Sequence, residues 1–107
     1  MIFFFSNSLF AGEWSITRAG KTYTVDLNTS GNNFTGHYVG IKNDGKFNGT
    51  FYQNRGKTLI HFVQTGGTYV AVHSGIKINS DTYSGVWYDN AGNEGGNFTL
   101  KRSGPSL

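Results

Sequence analysis

Tyr83-Ser-Gly85-Val-Trp87 alternates rings with a central glycine, and the same aromatic–x–Gly–x–aromatic pattern recurs at Phe10–Trp14, Phe34–Tyr38 and Phe47–Phe51. Because residues i, i+2 and i+4 of a strand share one face, each copy places two rings on one face with a glycine between them. A glycine inside a strand permits a bend or the close approach of a neighbour. Repeated around a sheet, this device allows the sheet to curl and close.

Eight short strands are predicted, because apolar and polar residues alternate between turns rich in Asn, Asp and Gly. They cover about residues 12–18, 22–29, 33–40, 46–53, 58–64, 68–76, 82–89 and 95–102. Short turns make successive strands antiparallel neighbours. The expected fold is therefore all-β, an eight-stranded antiparallel up-and-down (meander) barrel formed by residues 12–104, with 105–107 as a tail. A barrel of eight strands is either filled by side chains or holds one small ligand.

The alternation also assigns side chains to the two faces of the sheet. Gly36, Gly49 and Gly85 are expected at bends, each covered by a neighbouring ring. The expected inner face consists of Trp14, Ile16, Tyr23, Val25, Leu27, Phe34, Gly36, Tyr38, Phe47, Gly49, Phe51, Tyr83, Gly85, Trp87, Phe98 and Leu100. The outward positions of most strands are polar.

The fifth and sixth strands are apolar on both faces. A turn through residues 66–68 would place His61 directly opposite His73, which makes this pair the only candidate metal ligands. A metal site needs three or four ligands, so we expect neither a metal nor a cofactor. The second apolar face, with Ile60, Phe62, Val70 and Val72, predicts a homodimer or homotetramer formed through strands 58–64 and 68–76.

Composition excludes several classes of protein. The 107 residues contain no cysteine, and the nine Lys and Arg residues are scattered, which argues against binding to nucleic acid. No apolar stretch approaches the ~20 residues that span a membrane. Residues 1–11 are a short apolar run, interpreted as a signal-peptide remnant or an N-terminal arm. The remnant would make the protein secreted or periplasmic; otherwise it is cytoplasmic.

Several segments resemble the avidin family and, more broadly, the calycin group of β-barrels. They are Gly12-Glu-Trp14, Asn33–Tyr38, Tyr83–Tyr88 and Phe98–Arg102. The resemblance implies that Gly-x-Trp opens the barrel and that a late basic residue packs over the tryptophan, here Arg102 over Trp14. Tyr38 matches a ligand-binding tyrosine of the avidins. Ile16 and Phe98 replace polar and tryptophan residues of that family's site, so biotin binding is not implied.

The function expected from the sequence is a non-catalytic β-barrel binding protein that holds a small apolar or aromatic ligand at one end. The lining residues would be Trp14, Tyr38, Phe51, Tyr83 and Trp87. One alternative is a protein- or carbohydrate-interaction module that uses exposed aromatic residues such as Tyr52, Tyr88 and Phe62. The second alternative is a small-barrel cyclase or isomerase. An enzyme is less favoured, because no pair of acid–base residues is placed for catalysis.

Overall fold

The structure is a computed structural model that describes residues 10–40, 45–91 and 95–103. Its strands are β1 (Gly12–Arg18), β2 (Lys21–Ser30), β3 (Asn33–Tyr38), β4 (Lys46–Asn54), β5 (Lys57–Gly66), β6 (Tyr69–Asn79), β7 (Thr82–Asp89) and β8 (Gly95–Arg102). Each strand pairs with the next, and β8 pairs antiparallel with β1 to close the barrel. The predicted fold class is confirmed. In the described ranges, no helix is long and apolar enough to cross a membrane.

The barrel has two chemically different ends. The turns at 31–32, 55–56 and 80–81 lie at the end where β1 begins, which we call the Phe10 end. The turns at 19–20 and 67–68 lie at the opposite end, which we call the Arg18 end. Most of the predicted segment 1–11 and the predicted tail 105–107 lie outside the described residues.

The predicted inner face forms the core. Its large side chains are almost fully buried, with Tyr23 only partly so, and the rings of neighbouring strands contact one another. Trp14 is 0% exposed, and the Arg102 guanidinium lies 4.5 Å from the centre of its ring. Burial of an indole under a guanidinium is favourable because the ring face is negative. The predicted contact between Trp14 and Arg102 is confirmed.

The three strand glycines lie where neighbouring groups approach closely, but a ring is the nearest neighbour at only one of them. A β-carbon at Gly49 would collide with the Phe34 ring, as predicted. At Gly36 it would meet the Leu27 side chain and, at 2.7 Å, the Asp26 carbonyl oxygen. At Gly85 it would meet the backbone of β6. At Gly36 and Gly85 the nearest atoms to an added β-carbon are therefore a leucine side chain and backbone atoms of a neighbouring strand rather than a ring.

The β5–β6 hairpin differs from the prediction by one residue. Gly66 pairs with Tyr69 across a two-residue turn, so His61 lies opposite Ser74 and His73 lies opposite Phe62. A slip of one residue exchanges the faces of a strand. His61 therefore points outward, with its Nδ1 2.8 Å from Ser74 Oγ, whereas His73 is fully buried. The predicted histidine pair is wrong.

The same register corrects the second apolar face. Ile60 and Phe62 are 1% and 2% exposed and belong to the core rather than to the surface. Phe62 is therefore unavailable as an exposed aromatic contact. Val70 and Val72 alternate with buried Ala71 and His73 and remain on the outer side, where they are partly buried.

Candidate ligand-binding site

A buried arginine dominates the Arg18 end. Arg18 is the last residue of β1, follows Trp14 and Ile16 on the inner face, and is only 7% exposed. Its Nη1 lies 2.6 Å from His73 Nε2. Its Nη2 donates to the Tyr38 hydroxyl at 3.1 Å and to Gln64 Oε1. The tight turn that follows β1 at residues 19–20 keeps this side chain at the barrel mouth while the strand aims it inward.

The charge of Arg18 is not neutralised by any acidic side chain that the structure describes. Among the residues that the structure describes, Arg18 forms no ion pair, and its three hydrogen-bond partners are uncharged side chains. Its guanidinium lies 4.7 Å from the centre of the Trp87 ring, which offsets part of the lost hydration. Arginine has five N–H donors, so two of them remain after these contacts. A buried charge that lacks an opposite charge is costly to the fold.

His73 is held neutral beside this charge. Burial and the adjacent Arg18 guanidinium lower the pKa of His73 to about 3, while the carbonyl groups of Phe62 and Ala71 act weakly in the opposite direction. Because Arg18 always donates, Nε2 of His73 accepts and Nδ1 carries the proton. Trp87 Nε1 has no hydrogen-bond partner in the described part of the chain, although it is buried. His73 Nδ1 makes no full hydrogen bond either, but the Phe62 and Ala71 carbonyls are close enough to raise the pKa of His73. Buried donors are normally paired.

Parallel rings form one wall of the site. His73 stacks on Phe62 with ring centres 4.2 Å apart and lies almost parallel to Trp87 at 6.1 Å. Opposite this wall, burial raises the pKa of the Tyr38 hydroxyl, and the Arg18 charge only partly opposes that shift. The stacked wall fixes the orientation of His73, and thereby the direction in which its Nδ1–H points.

Two more tyrosines lie near the mouth. Tyr23 contacts Tyr38 with ring centres 5.3 Å apart. Tyr69 donates its hydroxyl to Asp89 Oδ2 at 2.9 Å, and burial together with this bond raises the pKa of Tyr69 to about 12. The rim of the Arg18 end therefore carries aromatic rings and hydroxyl groups. The Asp89 carboxylate at this rim accepts the hydrogen bond from Tyr69.

The predicted lining residues do not share one end of the barrel. Tyr38 and Trp87 belong to the Arg18 end, whereas Trp14, Phe51 and Tyr83 lie together at the Phe10 end. There the chain fills the space between them with its own Phe10, 5% exposed. The Phe10 ring lies 4.7 Å from Trp14, 4.6 Å from Phe51 and 5.9 Å from Tyr83, centre to centre. The Trp14 indole donates to the Phe10 carbonyl at 2.6 Å.

Sequence reasoning missed Arg18 and Gln64, and it assigned His73 to the wrong face. The signal was present in the period-2 alternation, because Arg18 follows Ile16 by two residues and Gln64 follows Phe62 by two. Both were passed over because polar residues at strand ends usually face water. His73 was misplaced by the one-residue error in the hairpin.

Chemically, this arrangement places several N–H donors beside aromatic rings. Its histidine is too weak a base to accept a proton near pH 7. Among the described residues, no group of three or more His, Cys, Asp or Glu side chains could hold a metal ion. Comparison with protein-family models, with curated protein sequences and with solved structures finds no match to this chain.

Proposed function

We propose that the protein is a small-ligand-binding barrel of the calycin type that takes its ligand at the Arg18 end. The observation that carries this proposal is the buried polar cluster of Arg18, Gln64 and His73, placed beside Tyr38 and Trp87 in an otherwise apolar interior. If stability were the only requirement, hydrophobic residues would be favoured at these buried positions. Binding sites are typically apolar spaces with a few placed polar groups, and this cluster has that character.

The Phe10 end of the barrel is less suitable for binding a ligand. Phe10 already occupies the space among the rings of Trp14, Phe34 and Phe51, so a ligand there would have to displace part of the core. The closed barrel, its Gly12-Glu-Trp14 opening and the contact of Arg102 with Trp14 support the calycin-type interpretation.

Tryptophan fluorescence tests this function, because the chain has only two tryptophans, one at each end. In the Trp14→Phe variant, Trp87 is the sole reporter and should respond saturably to 3-phenylpropionate or its uncharged amide. In the Trp87→Phe variant, Trp14 reports the filled end and should not respond. If neither compound changes Trp87 emission at about 1 mM, the limit of weak small-ligand binding, the proposal is wrong.

A second function is favoured by the outer surface of β5, β6 and β7. We propose that two copies associate through an outer apolar face composed of Leu59, Val63, Val72, Ile76, Val86 and Tyr88. The registers Leu59–Ile76, Val63–Val72 and Val72–Tyr88 place these uncharged residues on one face, where they surround the hydrogen-bonded pair His61 and Ser74. Val86 and Tyr88 are 58% and 62% exposed.

The size of this face suits a weak homodimer. Three strands about 4.8 Å apart and some 20 Å long cover on the order of 300 Å² per copy, which is below the usual size of a specific interface and fits only weak association. Sedimentation should show a dimer at about 100 µM, and Tyr88→Lys should abolish it. Asn28→Lys, at an exposed position of β2 on the far side of the barrel, is the matched control. A monomer at that concentration, or a dimer that survives Tyr88→Lys, would mean that this face does not form the homodimer. Another protein or a carbohydrate would then be its expected partner.

A further inference from the structure

We propose that the ligand of the Arg18 end is an organic monocarboxylate with an apolar or aromatic body, and that its carboxylate pairs with the Arg18 guanidinium. This inference rests on the proposed binding function and specifies its chemical class. The first support is charge: Arg18 is the only buried charged side chain among the described residues, since His73 is neutral near pH 7. A single anionic group would neutralise the interior.

Hydrogen bonding supplies the second support. Arg18 keeps two N–H groups after its three contacts, and the buried Trp87 Nε1 has no partner in the described residues. All three groups are donors, so the described part of the site lacks acceptors rather than donors. The Tyr38 hydroxyl and the Gln64 carbonyl, which accept bonds, are already used to hold the guanidinium. A ligand group that only accepts, such as a carboxylate, matches this inventory.

The neighbouring carboxylate does not satisfy Arg18. Asp89 lies on β7 at the same end, but it accepts the Tyr69 hydroxyl at 2.9 Å and forms no ion pair with Arg18. Charge-assisted bonds between guanidinium and carboxylate are strong and directional because their donor and acceptor geometries match. An external carboxylate therefore has both an available charge and available donors.

The surroundings determine the rest of the ligand. Only one guanidinium is present, so a monoanion balances the site, whereas a phosphate dianion would bring an excess negative charge into an apolar interior. Trp87, Tyr38 and Tyr23 present ring surfaces next to the charge. These surfaces suit an apolar or aromatic body attached to the carboxylate.

Titration calorimetry with matched compounds tests the assignment. 3-Phenylpropionate should bind at least about 10-fold more tightly than 3-phenylpropanamide, and more tightly than phenyl phosphate. Arg18→Met should weaken carboxylate binding about 100-fold, the usual scale for loss of a buried charged partner, and leave amide binding unchanged. Lys57→Gln removes one charge at the Phe10 end and should change nothing.

A second variant keeps the test decisive if Arg18→Met does not fold. Trp87→Phe keeps an aromatic ring at this position but removes the indole N–H donor. This variant should weaken carboxylate binding several-fold more than amide binding. Equal affinity for carboxylate and amide, or tighter binding of phenyl phosphate, would overturn the carboxylate assignment and leave the binding function standing. Absence of binding by all three compounds would overturn both.

Discussion

Replacing Gly85 with alanine should destabilise the barrel because β6 and β7 approach too closely there for a side chain. Gly85 faces Gly75 across the two strands. An added β-carbon would lie 2.7 Å from the Ser74 carbonyl carbon, and closer still to the Ser74 oxygen and to Gly75 Cα. These atoms belong to the backbone, so a change of rotamer cannot relieve the collision and the strands must separate.

The expected cost follows from two opposing terms. Overpacking of this kind costs up to about 3 kcal/mol, and the loss of glycine's freedom in the unfolded chain returns about 0.4–1 kcal/mol. The net decrease in the free energy of unfolding is therefore about 2 kcal/mol. For a domain of this size, that corresponds to a melting temperature lower by roughly 10 °C.

Thermal and urea denaturation followed by circular dichroism measure this effect. Val86→Ala changes an outward, largely exposed neighbour and should leave stability within about 1 kcal/mol of the parent, since exposed positions contribute little. A Gly85→Ala protein that melts within two degrees of the parent would refute the close approach of β6 and β7.

Three further results are expected. Phe10→Ala should cost about 3–5 kcal/mol in urea denaturation, because it empties the ring cluster around Trp14; a loss under 1 kcal/mol would mean that Phe10 is not core. Unfolded His73 takes up a proton near pH 6.5, but folded His73 does so only near pH 3, so stability should fall by about 1.4 kcal/mol per pH unit below 6.5. His73→Gln should remove this slope between pH 6.5 and 5, and an unchanged slope would contradict neutral burial. Arg102→Met should cost about 1 kcal/mol through loss of the contact with Trp14, whereas Asp81→Asn, which removes only the charge of its part-buried ion pair with Arg102, should cost less.

The Arg18 end shows why the site was harder to predict than the fold. Tyr38 and Trp87 were identified from the ring pattern, because large rings at alternate positions can only face a core. Arg18 and Gln64 follow the same alternation. For a polar residue near a strand end, however, the local sequence gives no clear difference in free energy between facing water and facing the interior. Which of the two occurs depends on partners from β3, β5 and β6, which are distant in sequence.

Local chemistry determined the architecture of this protein. Alternating rings, strand glycines and short turns specify eight antiparallel strands, because the period of two and the turn geometry act within a few residues. Only the tertiary structure decided the β5–β6 register, the filling of one end by Phe10 and the inward turn of Arg18. Each of these depends on contacts between strands far apart in sequence, where packing and the solvation of a charge compete and no local pattern records which prevails.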